Sequence, residues 1–126
     1  MKKIIKTTHA PAPIGPYNQA ILSENTLYIS GQIAINPLTN ELILSDIQSE
    51  TKQVMENLKA ILKEAKTDFS AVVKSSIFIS DMNNFAAINA VYGSYFEGLI
   101  APARETVEVS VLPKNVNVEI SMIAVI

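Results

Sequence analysis

The chain has 126 residues, a length that folds as one domain and buries a core without covalent staples. It contains no cysteine, which removes thiol nucleophiles, cysteine zinc sites, iron–sulfur clusters and disulfides together. Its net charge is −2, and no lysine cluster interleaves with aromatics, so the basic footprint of a nucleic-acid binder is missing. The opening Met1–Thr7 has basic residues but no long apolar run, and no stretch is long enough to span a bilayer. The expectation is a soluble cytoplasmic protein.

In chain order, Lys2 to Lys6 predicts a short strand. Ala10 to Tyr17 carries three prolines and a glycine, which remove donors and fix turns, so it is a loop. Asn18 to Ser23 and Thr26 to Ile33 predict two strands joined through Glu24-Asn25, and Asn36 to Asn40 predicts a second turn. Ser45-Asp46-Ile47-Gln48 matches a capping box with Ser45 at the N-cap. Val54, Leu58, Ile61, Leu62 and Ala65 then recur at helical spacing, giving an amphipathic helix from about Asp46 to Ala65. Ala71 to Ser80 predicts a strand. Asp81 is an N-cap for a second helix, with Phe85, Ile88, Tyr92, Tyr95 and Phe96 on one face and Gly98 at its end. Arg104 to Val111 and Val116 to Val125 alternate with period two around Leu112-Pro113-Lys114-Asn115, the pattern of a hairpin.

This order predicts an α+β domain over residues 1–126, with two helices covering one face of a mixed sheet. The opposite face needs another cover. With 48% hydrophobic residues in so small a chain, further copies of the same chain are the simplest candidate.

His9 is the only histidine and lies in a loop, so a serine–histidine–acid triad, which would depend on it entirely, is a weak reading. No His/Cys/acid cluster points to a metal, and the four glycines form neither a phosphate loop nor a dinucleotide fingerprint. What remains is a few polar residues in apolar settings. Arg104 is the only arginine beside nine lysines, and its planar fork matches a carboxylate through two parallel hydrogen bonds. The alternative is a structural ion pair with one of the twelve acids. Glu119 lies mid-strand within Val116 to Ile120. Gly31, after Ser30, marks a bulge, a close ligand approach or tight packing beneath a helix. Tyr17 follows the rigid Gly15-Pro16 turn, and Asn89 faces either the apolar side of its helix or solvent. Pairing Val111 with Val116 across the hairpin would set Glu108 opposite Glu119 and Arg104 opposite Ile123. Arg104 and Glu119 would then stand roughly 13 Å apart, with room for a small ligand between them.

Ile14-Gly15-Pro16-Tyr17-Asn18-Gln19-Ala20, Ser30-Gly31-Gln32-Ile33, Asp81-Met82-Asn83 with Phe85 and Asn89, Pro102-Ala103-Arg104, and Leu112-Pro113-Lys114 before Val118-Glu119-Ile120 together resemble the RidA family. These are the reactive intermediate deaminases, also called YjgF. The resemblance runs from about Ala10 to Val125. It implies a chorismate-mutase-like α+β fold and a homotrimer with clefts between subunits. It also implies hydrolysis of enamines or imines such as 2-aminoacrylate to 2-keto acids and ammonia, with no cofactor and no metal. Such intermediates come from PLP-dependent dehydratases, so the activity would protect other enzymes.

By position, the resemblance makes Arg104 the grip on the substrate carboxylate and Glu119 the group that orients or activates water. Tyr17, Ser30, Gly31 and Asn89 would line the pocket, and the Thr106 backbone would add a contact. Thr106 stands where many members carry cysteine and Ser121 where many carry a second glutamate. The segment Glu97 to Ala101 looks short, and Lys66 and Asn40 replace turn glycines. Two other readings stay open: a small-carboxylate-binding regulatory module without turnover, and an RNA-directed translation inhibitor or endoribonuclease. Glu119 favours an enzyme over a pure carboxylate receptor, which gains nothing from a nearby negative charge. The acidic balance counts against RNA.

Overall fold

Short runs of branched residues, broken by polar turns, build most of this molecule. A computed structural model describes residues 1–126. The strands are β1 (Lys2–Ile5), β2 (Ala20–Ser23), β3 (Thr26–Gln32), the two-residue pair β4 (Ile35–Asn36) and β5 (Glu41–Leu42), β6 (Val72–Ile79), β7 (Ala103–Glu108) and β8 (Val118–Val125). The helices are α1 (Ile47–Glu64) and α2 (Phe85–Ser94). Six strands form one sheet in the order β1-β2-β3-β8-β6-β7, and only β6 and β7 run parallel.

β8 fixes which face is which. Val118, Ile120, Met122 and Ala124 are buried, while Glu119, Ser121 and Ile123 alternate onto the other face. The buried set packs with Val54, Leu58, Ile61 and Leu62 of α1 and with Ile88 and Tyr92 of α2 in one core. Truncating one such aliphatic side chain to alanine costs ~2–5 kcal/mol. Both helices therefore lie on one face, as the sequence predicts. The opposite face is mixed rather than purely apolar. One row holds Tyr28, Ile123, Lys74 and Ala103; the next holds Ser121, Ser76 and Glu105; the third holds Glu119, Phe78 and Val107. A small second cluster of Ile33, Ile35, Leu112 and Val116, joined by Phe78, covers one end of it. No helix is long and apolar enough to cross a membrane.

Two sequence expectations are corrected. The cap of α1 is Asp46, not Ser45: Asp46 is extended and its carboxylate accepts the Ser49 amide at 2.7 Å. The predicted hairpin of the last two strands does not form. β7 ends at Glu108 and pairs in parallel with β6, whereas β8 lies antiparallel between β3 and β6. The nine residues between them are too many for a tight hairpin, and the β6–α2–β7 unit gives β7 the parallel partner that a helical crossover requires. Arg104 is thus opposite Ser75 and Glu119 opposite Phe78, which voids the 13 Å estimate. The β4–β5 pair around the Asn36–Asn40 turn is an addition that its length hid from sequence reasoning.

Candidate active site

Arg104 sits on the sheet's edge strand and turns toward α2. Its Nη1 donates to Asn89 Oδ1 at 2.7 Å. The guanidinium carbon lies 5.1 Å from the centroid of the Tyr92 ring and 5.7 Å from that of Phe85. Phe85, Asn89 and Tyr92 follow one another at helical spacing, so a single stripe of α2 supplies the whole cradle. Behind it, the Tyr92 hydroxyl donates to Ser75 Oγ at 2.8 Å, and Ser75 is fully buried. Burial pushes the Tyr92 phenol up, opposed by the Ser75 hydrogen bond and the Arg104 charge, so the ring facing Arg104 is neutral. The ion-pair alternative fails within the chain, because the only salt bridge is Lys74–Glu105 at 2.9 Å. One donor of Arg104 is occupied and the rest of the fork makes no hydrogen bond in the protomer.

Glu119 occupies the opposite face, in a separate cleft. The cleft is small, about 60 Å³, and partly open to solvent, with walls from the proline loop, the β3 end and Pro113. Tyr17 and Gly31 line it with Glu119, and Tyr17 is the only other titratable group on its walls. Burial raises the Glu119 carboxyl above the usual carboxylate range, and no hydrogen bond opposes the shift. Gly31 explains how the carboxylate fits. The register slips between Ile29 and Gln32, a bulge, and a Cβ built on Gly31 would stand 2.6 Å from Glu119 Oε2. The close neighbour is therefore this carboxylate rather than a helix.

The proline loop is held by one buried side chain that sequence reasoning passed over. Gln19 accepts the Thr7 amide at 2.7 Å and donates to the carbonyls of Thr7, Ala10 and Pro11. The Tyr17 hydroxyl accepts the Ile14 amide at 3.3 Å, closing the loop on itself. Ser30 stands beside the cleft, with its hydroxyl donated to the Asn18 carbonyl at 2.6 Å. Thr106 follows Arg104 on the same face of β7; its Oγ1 is the one buried side-chain polar atom with no partner.

The predicted site residues thus fall into two half-sites. Tyr17, Gly31 and Glu119 share one cleft, with Ser30 at its rim; Arg104, Asn89 and Thr106 share the edge on the helical side. Phe85 and Tyr92 belong with the second group, and the Phe85–Asn89–Tyr92 stripe was the signal for them. His9 is an exposed loop residue. No three of the histidine and acidic side chains converge in a way that could hold a metal ion.

A family model described as "Endoribonuclease L-PSP" matches residues 7–126. A mouse protein named 2-iminobutanoate/2-iminopropanoate deaminase is 45% identical over 125 residues, covering 99% of this chain and 92% of its own. Among solved structures, a Yersinia pestis protein of unknown function from the conserved Rid family superposes with a TM-score of 0.98 at 49% identity over the full length of both chains. Escherichia coli TdcF with bound serine superposes at 0.95 and 40% identity, covering 98% of each chain. The chain belongs to the RidA (YjgF) family.

Proposed function

We propose that the chain hydrolyses small enamines and imines, such as 2-aminoacrylate, to 2-keto acids and ammonia, without a cofactor. The observation that carries this reading is Glu119: a carboxyl with a raised pKa and no hydrogen bond of its own, in a small cleft with apolar walls. A group so placed suits proton transfer to and from water. A mammalian relative that bears the deaminase name, and a family structure with a bound amino acid, support the same chemistry.

In this reading the free N–H groups of Arg104 take the substrate carboxylate in two parallel bonds, with Asn89 and the two rings fixing the fork. The enamine tautomerises to the imine. Water adds to the imine carbon while Glu119 takes a proton and passes it to nitrogen. The hydroxyl proton follows by the same route, the C–N bond breaks, and ammonia leaves as the carbonyl forms. Tyr17, Ser30 and Gly31 line the pocket, and the Thr106 backbone adds a contact. Because the half-sites lie on opposite faces of one sheet, the working cleft joins Arg104 of one copy to Glu119 of another, in a homotrimer.

The test is ammonia release from 2-aminoacrylate generated in situ, with and without the protein. Faster release with the protein is expected. Equal rates would overturn the reading.

A further inference from the structure

Glu119 forms no hydrogen bond through its carboxylate, so its aim depends on packing against Gly31 and on the backbone that carries it. That backbone is anchored by a second carboxylate from the helical side. Glu50, in the first turn of α1, is fully buried. Its Oε2 accepts the main-chain amides of Asn117 at 2.7 Å and Val118 at 3.2 Å, and its Oε1 accepts Asn117 Nδ2 at 2.8 Å. Asn117 is tied in turn to the end of β6: its carbonyl accepts the Ser80 amide at 3.1 Å, and its Oδ1 accepts the Ser80 hydroxyl at 3.3 Å. No cation pairs with Glu50. A buried carboxylate without a cation is costly unless donors fill its lone pairs. Here the donors belong to the two residues that immediately precede Glu119.

We propose that Glu50 is a positioning residue for Glu119: it fixes the entry of β8, and through it the aim of the carboxylate into the cleft. The effect on turnover rests on the deaminase reading above; the effect on Glu119 itself does not. Two assays on one set of variants separate them: ammonia release, and a carbon-13 NMR titration of the Glu119 carboxyl.

Glu50→Ala leaves both amides unpaired and lets the strand entry drift. A displacement near 1 Å is enough to lower kcat about 10- to 100-fold. KM is expected to change little, because no hydrogen bond of Glu50 reaches the Arg104 strand. The Glu119 titration, and with it the acid limb of kcat, is expected to move to lower pH as water gains access. Glu50→Gln is expected to restore most of the wild-type behaviour. Its oxygen can still accept both main-chain amides, and the Asn117 amide can turn to meet its NH2.

A folded Glu50→Ala protein with the wild-type Glu119 titration overturns the inference, whatever its activity. If Glu50→Ala does not fold, Glu50→Asp replaces it, keeping the charge but withdrawing the oxygens by one methylene; the same shifts are expected. Failure of both to fold makes Glu50 a purely structural latch and also overturns the inference. Absence of ammonia release from wild type defeats the deaminase reading alone, since the NMR titration still decides the positioning role.

Discussion

Arg104 is held by shape as much as by charge, and that makes it a sharp probe. Lysine keeps the charge but cannot reproduce the fork between Asn89 and the two rings. Arg104→Lys is expected to lower kcat/KM about 10- to 150-fold, the worth of one charge-assisted hydrogen bond of ~1.5–3 kcal/mol, with an unchanged melting temperature. A mutant that melts early yet turns over normally would remove the clamp role. Glu119→Gln is expected to reduce kcat ~10²–10⁴-fold with little change in KM. It should also stabilise the fold. Because the folded carboxyl has a raised pKa, the native state binds its proton more tightly than the unfolded chain does. Glu119 therefore contributes stability that is lost as pH rises from the ordinary carboxylate value through the folded one. Melting curves should show the glutamine variant more stable at pH 7 and the gain gone below about pH 4. These two residues were legible as a lone guanidinium and a mid-strand acid. Gln19 and Glu50 were not, because nothing in a sequence says which polar side chain will meet a loop's buried backbone groups.

At the level of elements, turns with special backbone conformations are informative. Lys66 follows the C-cap of α1 with φ 63°, and Asn40 turns β4 into β5 with φ 61°. Both are positions that the resemblance implies replace turn glycines, and a positive φ is the conformation that favours glycine. At the end of α1, the Thr67 amide reaches the Leu62 carbonyl at 3.0 Å and the Lys66 amide the Lys63 carbonyl at 2.9 Å, a Schellman closure that favours glycine. Lys66→Gly is expected to stabilise by up to ~1 kcal/mol, the strain relieved less the added chain entropy. A thermal melt should rise by about 2–5 °C; a fall would show that the lysine side chain holds the turn. Helix positions were legible because three-to-four spacing is local. The partner of β7 was not. Alternation marks a strand without saying which neighbour it takes, and the turn at Pro113 suggested β8 when the crossover through α2 led to β6.

For the whole molecule, the mixed outer face of the sheet and the family membership lead to one expectation. Light scattering at micromolar concentration should give three times the 13.7 kDa chain mass. A monomeric mass would remove the cover for that face and the second half of each cleft. Placing Arg104 and Glu119 on opposite sides of one sheet has a genetic corollary. Arg104→Lys and Glu119→Gln chains, each impaired as a pure assembly, should complement when unfolded and refolded together. A cleft then regains both groups whenever an intact Arg104 from one parent meets an intact Glu119 from the other. Random assortment of equal amounts restores about a quarter of the clefts. Two defects on the same chain cannot be rescued by each other, so mixing the double mutant with either single mutant should restore nothing.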